Sequence, residues 1–557
     1  MELTAIVKAA FEKAFPEGDF SGVRVVPATD PKFGDYQCND ALKCAKQFKM
    51  NPRQAAQKVV ENLDTACFEK VEIAGPGFLN LTVSPAWLNG QLATLSAQPK
   101  CGIPQSGAGK KIVIDYSSPN AAKQMHIGHI RSTVIGNAID RIFRALGYDV
   151  IADNHLGDWG TQFGILIKGY RELLSQEERD NLSVPYLEKC YVLSAAKAKE
   201  EDGVWKEACK QELVKLQQGD PENLALWKKF IDISINEFNR MYDKLGVKFD
   251  TYRGESYYND TMPGVVEKLQ KMGLAVESEG ALVVNLEEES LGVAIVRKSD
   301  GGYNYTTSDL ACVEMRVKEY DPERIIYVTD ARQQLHFKQW FNIAGKMGVT
   351  AKLVHVPFGL MSFQGKAIST REGNLIKLDE LLAEAQRRSF EIVKDRGGDE
   401  TLAAQIGIGA VKYTDLSHDP ITDIDFSWDK ALALEGNSGP YLQYAYARVC
   451  SLLEKVEGVN VDELKAFDVV TPQEKRLALQ LLEFPGAVVR AAEAYKPSVL
   501  ADYLFQTAQL YSSFYQNSPI LKSEETVRNA RLKLCSLFGE VLKTGLNLLG
   551  IETPRHI

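Results

Sequence analysis

The sequence predicts a multidomain α/β protein, with a Rossmann-like nucleotide-binding domain in the middle, an α+β domain before it and an all-α bundle after it. First, 557 residues are too many for one hydrophobic core, and 45% apolar with 25% charged residues is the composition of a soluble globular chain. Second, the β-branched run Ile112 to Tyr116 is followed by a Ser-Ser-Pro-Asn turn. Apolar residues then recur at Ile127, Ile130, Val134, Ile139, Ile142, Phe143 and Leu146 up to Gly147, and Val150 to Ala152 forms a second short apolar run. That is one strand-helix-strand unit of a parallel sheet. Third, everything after Phe426-Ser427-Trp428 carries helical periodicity to the end. Domains are therefore expected at 1–105, at 106–429 with a helical insertion around 184–250, and at 430–557.

Composition excludes several classes of function. The formal net charge is −9, and residues 1–105 and 430–557 are each neutral, so the acidic excess lies in the middle and RNA contacts would be local. Nine cysteines without a Cys-x-x-Cys pair read as reduced thiols of a cytosolic protein. The start MELTAIVKAAFEKAF has acidic residues and no signal-peptide core, and no apolar run is long enough to span a bilayer. No internal repeat or low-complexity tract is present.

In the first domain, Asn51-Pro52 opens an amphipathic helix, and Val71-Glu72-Ile73 and Phe78 to Val83 read as strands around a Gly-Pro-Gly turn. Ahead of them, Lys32-Phe33-Gly34-Asp35-Tyr36-Gln37 sets aromatics beside an amide and a lysine. Such a group can stack on a splayed base and read its edge, or simply pack a small core. Lys100 to Lys110, with Pro104 and three glycines, reads as the linker out.

At the start of the central helix stand His126, Ile127, Gly128 and His129, reading HIGH. A helix N-terminus offers unpaired N–H groups and partial positive charge to a phosphate. Two imidazoles add donors, and Gly128 removes a side chain that would hold off a base or ribose. Two other readings stay open, a pair of histidines that only cap the helix and a zinc pair, although no further ligand stands at metal spacing beside them. From about Val184 to Leu245 the pattern is helical and charged, as in a solvated insertion. Ala281 to Leu286 and Ala294 to Arg297 are strand-like runs that resume the second half.

The string SSPNAAKQMHIGHIRST resembles the first signature of class I aminoacyl-tRNA synthetases in its arginyl form. The resemblance extends over nearly the whole chain. It implies a class I synthetase nucleotide-binding catalytic domain, ATP with Mg²⁺ as the nucleotide substrate, L-arginine, and tRNA(Arg) bound by the flanking domains of a cytoplasmic monomer. Tyr305 and Asp309, four apart and so on one helix face, match the pair that holds the substrate guanidinium in that family. Gln333 matches its substrate-contacting Gln. Asp115 and Asn120 match the acid and the Asn around the substrate, with Asp115 shorter than the family's usual Glu. A guanidinium has five donors in a fixed fork, and these acceptors suit it.

Met361 to Leu378, MSFQGKAISTREGNLIKL, resembles the second class I signature, with Ser369, Thr370 and Arg371 in register for ATP. Ala367 and Thr370 stand where the two signature lysines would be. The resemblance implies that Lys123, three residues before His126, supplies the missing charge, with Lys366 or Arg371 assisting. GPYLQYAYAR from Gly439 to Arg448 resembles the start of the arginyl anticodon-binding bundle, which makes Tyr441 and Arg448 tRNA-binding candidates, while Tyr444 suits bundle core equally. Phe33 and Gln37 become candidates for the tRNA elbow on the same ground. The implied activity is arginine–tRNA ligation, with activation dependent on bound tRNA. The rivals are another HIGH-type nucleotidyl transferase, a tRNA-binding relative without catalysis, and a lysine-specific synthetase.

Overall fold

Lys111–Asp115 is the central strand of a five-stranded parallel sheet in the computed structural model, which describes residues 2–200, 203–363, 366–367, 376–456, 459–464 and 466–557. On one side it pairs with Asp149–Asn154, which pairs with Thr251–Tyr252. On the other it pairs with Arg324–Asp330, which pairs with Lys352–Phe358. The strand order therefore reverses between Lys111–Asp115 and Arg324–Asp330, and in open parallel sheets ligands bind in the crevice at that switch point.

The helix Ile127–Ala145 follows the first strand, and all seven apolar residues of its predicted face are buried. It is not one-sided, however. Arg131, Ser132, Thr133, Asn137 and Asp140 are buried too: Ser132 Oγ donates to Val328 O at 2.6 Å and Thr133 Oγ1 meets Ser117 Oγ at 2.8 Å on the sheet side, while the helices Glu400–Leu416, Phe484–Ala494 and Glu525–Leu548 also pack against this helix. Arg131 shows how a buried charge is accommodated there. Its Nε donates to Asp415 Oδ1 at 3.1 Å, and its two terminal nitrogens donate to the carbonyls of Thr422 and Pro420 at 2.9 and 3.1 Å.

The expected linker is packed and not free. Cys101, Ile103 and Gly107 are buried, and a Cβ on Gly107 would lie 2.0 Å from the Tyr148 ring. The insertion comprises the helices Thr161–Glu172, Val184–Lys197, Val204–Gln217 and Pro221–Leu245 with a core of its own, including Phe163, Leu187, Leu216 and Phe230. The strand-like runs beyond it do not rejoin the parallel sheet. Ala281–Leu286 is the middle strand of a separate three-stranded antiparallel sheet, between Gly292–Arg297 and Ala275–Ser278; the five residues between Ala281–Leu286 and Gly292–Arg297 permit a hairpin but no parallel crossover.

At the N-terminal end, Val26–Pro27, Tyr36–Cys38, Phe78–Val83 and Phe68–Ala74 form a four-stranded antiparallel sheet in that order. It docks on the C-terminal helices, where Lys475 pairs with Asp35 at 2.9 Å and Val469 N–H donates to Asn89 Oδ1 at 3.2 Å. All nine cysteines are buried. Among the described residues no helix is long and apolar enough to cross a membrane.

Candidate active site

Between the first strand and its helix, the chain runs through Ser117, Ser118 and Ala122 with φ of 73°, 48° and 62°, a left-handed backbone that side chains disfavour. Surrounding hydrogen bonds hold it there. Ser117 N–H donates to Ser132 Oγ at 2.9 Å, Ser118 N–H to Asn154 Oδ1 at 3.1 Å and Ala122 N–H to Ser234 Oγ at 2.8 Å. Asn120 bridges to Gly157, where a Cβ would lie 2.1 Å from Asn120 Oδ1. Only glycine admits this approach, which accounts for the glycine-rich Asn154 to Gly160 segment.

The loop delivers the two histidines as a reciprocal cap. His126 Nδ1 accepts from Gly128 N–H at 3.0 Å, and His129 Nδ1 accepts from His126 N–H at 3.1 Å, with the ring centroids 3.9 Å apart. Capping and ligand-binding are thus compatible, because an accepting Nδ1 places the proton of each neutral ring on Nε2 as a free donor. Gly128 serves a nearer purpose than expected, since a Cβ there would lie 2.8 Å from His126 Cε1 and unseat the cap. Burial, reinforced by Lys123, lowers the pKa of His126. Burial, with His126 and Lys123 nearby, pushes His129 down to about 3.

A ring with depressed basicity is more easily protonated in the unfolded chain, whose His titrates near 6.5. Its contribution therefore costs stability as pH falls from about 6.5 towards 3 and is absent above that window. At pH 7 both rings are neutral. The expected result is a pH profile of adenylate formation without a step at 6–7 from His129, checked by kcat/KM for ATP between pH 6 and 8.5.

At the switch point, lined in part by Ser118 and Asn120 of the loop that leads into the cap, lies a cavity of about 430 Å³. Asp115, Asn120, Tyr305, Asp309 and Gln333 all line it, so the structure brings together the five candidates for the amino-acid pocket. Tyr305 and Asp309 share a face of the helix Tyr305–Tyr320, Tyr305 being 70% exposed. Asp309 Oδ2 meets His336 Nε2 at 2.6 Å. Asp115 differs from expectation, because its own chain already supplies a guanidinium. Arg316 Nη2 donates to Asp115 Oδ2 at 2.7 Å and to Asp153 Oδ2 at 2.6 Å, and Ser118 Oγ donates to Asp115 Oδ1 at 3.0 Å. The short Asp115 side chain is thus held within the fold, and its place in the cavity is that of a wall.

Sequence reasoning missed Arg316, His336 and Glu255. Arg316 is fully buried within the helix of Tyr305, a position where only a paired charge persists; seven residues separate it from Asp309, the helical spacing that could have flagged it. Replacing Arg316 by Met strands two buried carboxylates and is expected to cost about 3–5 kcal/mol, read as a fall in the thermal midpoint. Glu255 lines the cavity beyond the insertion. Burial first, then the neighbouring Asp158 and Asp309 against the pull of His155, pushes its carboxyl up to about 7. A cation entering the cavity would restore the carboxylate.

Residues 91–428 match the family model described as tRNA synthetases class I (R), catalytic domain. The chain belongs to the arginyl-tRNA synthetase family. Residues 1–83 match the arginyl tRNA synthetase N terminal domain, and residues 442–557 match the DALR anticodon binding domain. An arginine–tRNA ligase of Fusobacterium nucleatum is 44% identical over 99% of this chain and 98% of its own. The arginyl-tRNA synthetase structure from Plasmodium falciparum is 28% identical and superposes with a TM-score of 0.86, covering 100% of this chain and 98% of that one. The structure from Thermus thermophilus is 25% identical with a TM-score of 0.83, covering 100% of both.

In this member of the arginyl-tRNA synthetase family, Tyr441, Tyr444 and Arg448 line a second cavity of about 320 Å³ on the helical bundle. The Arg448 guanidinium lies over the Tyr444 ring at 4.9 Å. Phe33 is half-buried under the Lys32 ammonium at 4.8 Å, and Gln37 Nε2 donates to Asn80 Oδ1 across the sheet at 2.7 Å. Tyr36, in the same segment, is core. Ser369, Thr370 and Arg371 lie outside the described residues.

Proposed function

We propose that the protein attaches L-arginine to tRNA(Arg) in two steps on one site. The arginine carboxylate oxygen attacks the α-phosphorus of ATP, the bond to the β-phosphate bridging oxygen breaks, and pyrophosphate leaves. The 3′-terminal ribose hydroxyl of the tRNA then attacks the carbonyl of arginyl-adenylate, and AMP leaves. No side chain forms a covalent intermediate; the residues position reactants and stabilise phosphate charge.

The observation that carries this reading is the adjacency of two chemistries at the switch point. The helix start presents the Nε2–H donors of His126 and His129 to a triphosphate. The cavity beside it offers Tyr305, Asp309, Gln333 and Glu255 as acceptors for a guanidinium. A lysine substrate would leave at least one of these without its partner, and sites of this kind discriminate by about 10⁴ or more.

Lys123 supplies the cationic charge, with Lys366 or Arg371 assisting, and Ser369 and Thr370 complete the ATP contacts. Magnesium arrives on the triphosphate, whose phosphates and waters are its customary ligands. Tyr441 and Arg448 take the anticodon end of the tRNA, and Phe33 with Gln37 its elbow. The protein works as a cytoplasmic monomer whose activation step waits for bound tRNA.

Aminoacylation of total tRNA with each of the twenty labelled amino acids, paired with ATP–pyrophosphate exchange with and without tRNA, tests the proposal. Charging with arginine alone, and exchange only when tRNA is present, is the expected result. Binding of tRNA with no charging would replace it by the non-catalytic relative.

A further inference from the structure

The helical insertion meets the active-site loops at several aromatic side chains, Trp227 and Tyr242 among them, and Tyr191 is the one that meets Lys123. Ala121 and Ala122, just before Lys123, are buried in the insertion's own core beside Leu187 and Cys190. Ala122 N–H donates to Ser234 Oγ on the helix Pro221–Leu245, and Ser234 Oγ in turn donates to Phe230 O at 2.7 Å. The backbone ahead of Lys123 is therefore anchored to two helices of the insertion. Lys123 itself points its ammonium at the face of Tyr191, 5.0 Å from the ring centroid, on the helix Val184–Lys197. Among the described residues no Asp or Glu forms an ion pair with Lys123. Its charge is nonetheless felt at both histidines, lowering the basicity of each.

A lysine side chain has four rotatable bonds, and an unpaired one samples many rotamers. An aromatic face attracts the ammonium on one side through its quadrupole, yet takes none of its three N–H donors. A carboxylate in the same place would neutralise the charge that a phosphate needs. An aromatic ring is thus a suitable holder for a lysine that must stay cationic and available.

We propose that Tyr191 is a positioning residue of the adenylation step, holding the Lys123 ammonium over the start of the HIGH helix. Through it the insertion, which otherwise reads as a solvated addition, becomes part of the catalytic apparatus. The inference rests on the assignment of Lys123 as the phosphate-neutralising cation, and the test separates the two.

ATP–pyrophosphate exchange with tRNA present is measured on the full-length protein for wild type, Tyr191→Leu, Tyr191→Phe, Lys123→Ala and the double variant Lys123→Ala/Tyr191→Leu. Tyr191→Leu is expected to lower kcat/KM for ATP by about three- to tenfold. The KM for arginine stays unchanged, and Tyr191→Phe, which keeps the ring, stays within about twofold of wild type. In the Lys123→Ala background the leucine substitution adds less than about twofold, because the group it acts through is gone. Should Tyr191→Leu melt early, Tyr191→Met at this half-buried site takes its place.

A wild-type rate for Lys123→Ala overturns both assignments. An impaired Lys123→Ala overturns the role of Tyr191 alone if it is accompanied by any of three results: a Tyr191→Leu variant as fast as wild type or faster, an equal loss in Tyr191→Phe, or a leucine effect that persists undiminished without Lys123.

Discussion

Replacing Lys123 by alanine is expected to slow adenylate formation by about 10²–10³-fold, the usual loss for one preorganised charge at a reacting phosphate. Two features place so much on this residue. Ala367 and Thr370 stand in the second signature where lysines would be, so that segment lacks its usual ammonium groups. The HIGH imidazoles are neutral at pH 7, since burial depresses both and each uses Nδ1 as an acceptor. They donate N–H groups and carry no net charge. Pyrophosphate leaves with charge accumulating on its oxygens, and Lys123 is the cation on the loop that leads into the helix. Exchange of labelled pyrophosphate into ATP at saturating tRNA and arginine measures the effect. A variant within about threefold of wild type would remove Lys123 from the mechanism.

Asp309→Asn is expected to lower kcat/KM for arginine by at least about tenfold, through a higher KM, a lower kcat or both. The substitution keeps the size of the side chain and one acceptor oxygen, and removes the negative charge. With Asp115 committed to Arg316 and Ser118, Asp309 and Glu255 are the carboxylates left to face a guanidinium in the cavity. A buried charge-assisted pair contributes more than a neutral hydrogen bond, and its loss falls on the substrate that carries the fork. Because His336 also meets Asp309, the same substitution releases that ring, and His336→Ala measured beside it separates the two effects. An unchanged arginine kcat/KM would take Asp309 out of the pocket.

Much of the site was legible because its residues sit at fixed offsets within single elements. Tyr305 and Asp309 are four apart on one helix, and His126 and His129 lie in one helical turn; such spacing turns directly into geometry. Asn120 and Gln333 were candidates only through resemblance to the family's strings, and both line the cavity. The residues that escaped act between elements. Glu255 follows the insertion, and Arg316 joins Asp115 to Asp153 on two neighbouring strands that are close only because the sheet pairs them. The antiparallel pairing of Ala281–Leu286 and Gly292–Arg297 was likewise not legible, since a strand's own pattern does not name its neighbour.

Local chemistry alone determined the strand-helix-strand unit, the HIGH helix start and the all-helical end, while the family was legible through resemblance to its signature strings. These depend on residues within about a dozen positions of one another, where period and turn chemistry settle the backbone. Tertiary structure decided the charges. It determined that Arg131 is buried among carbonyls, that the imidazoles of HIGH are neutral, that Asp115 answers to Arg316, and that the insertion reaches Lys123 through Tyr191. The physical reason is that desolvation and pairing depend on what lies across the interface, and only the folded packing of distant segments supplies that neighbour.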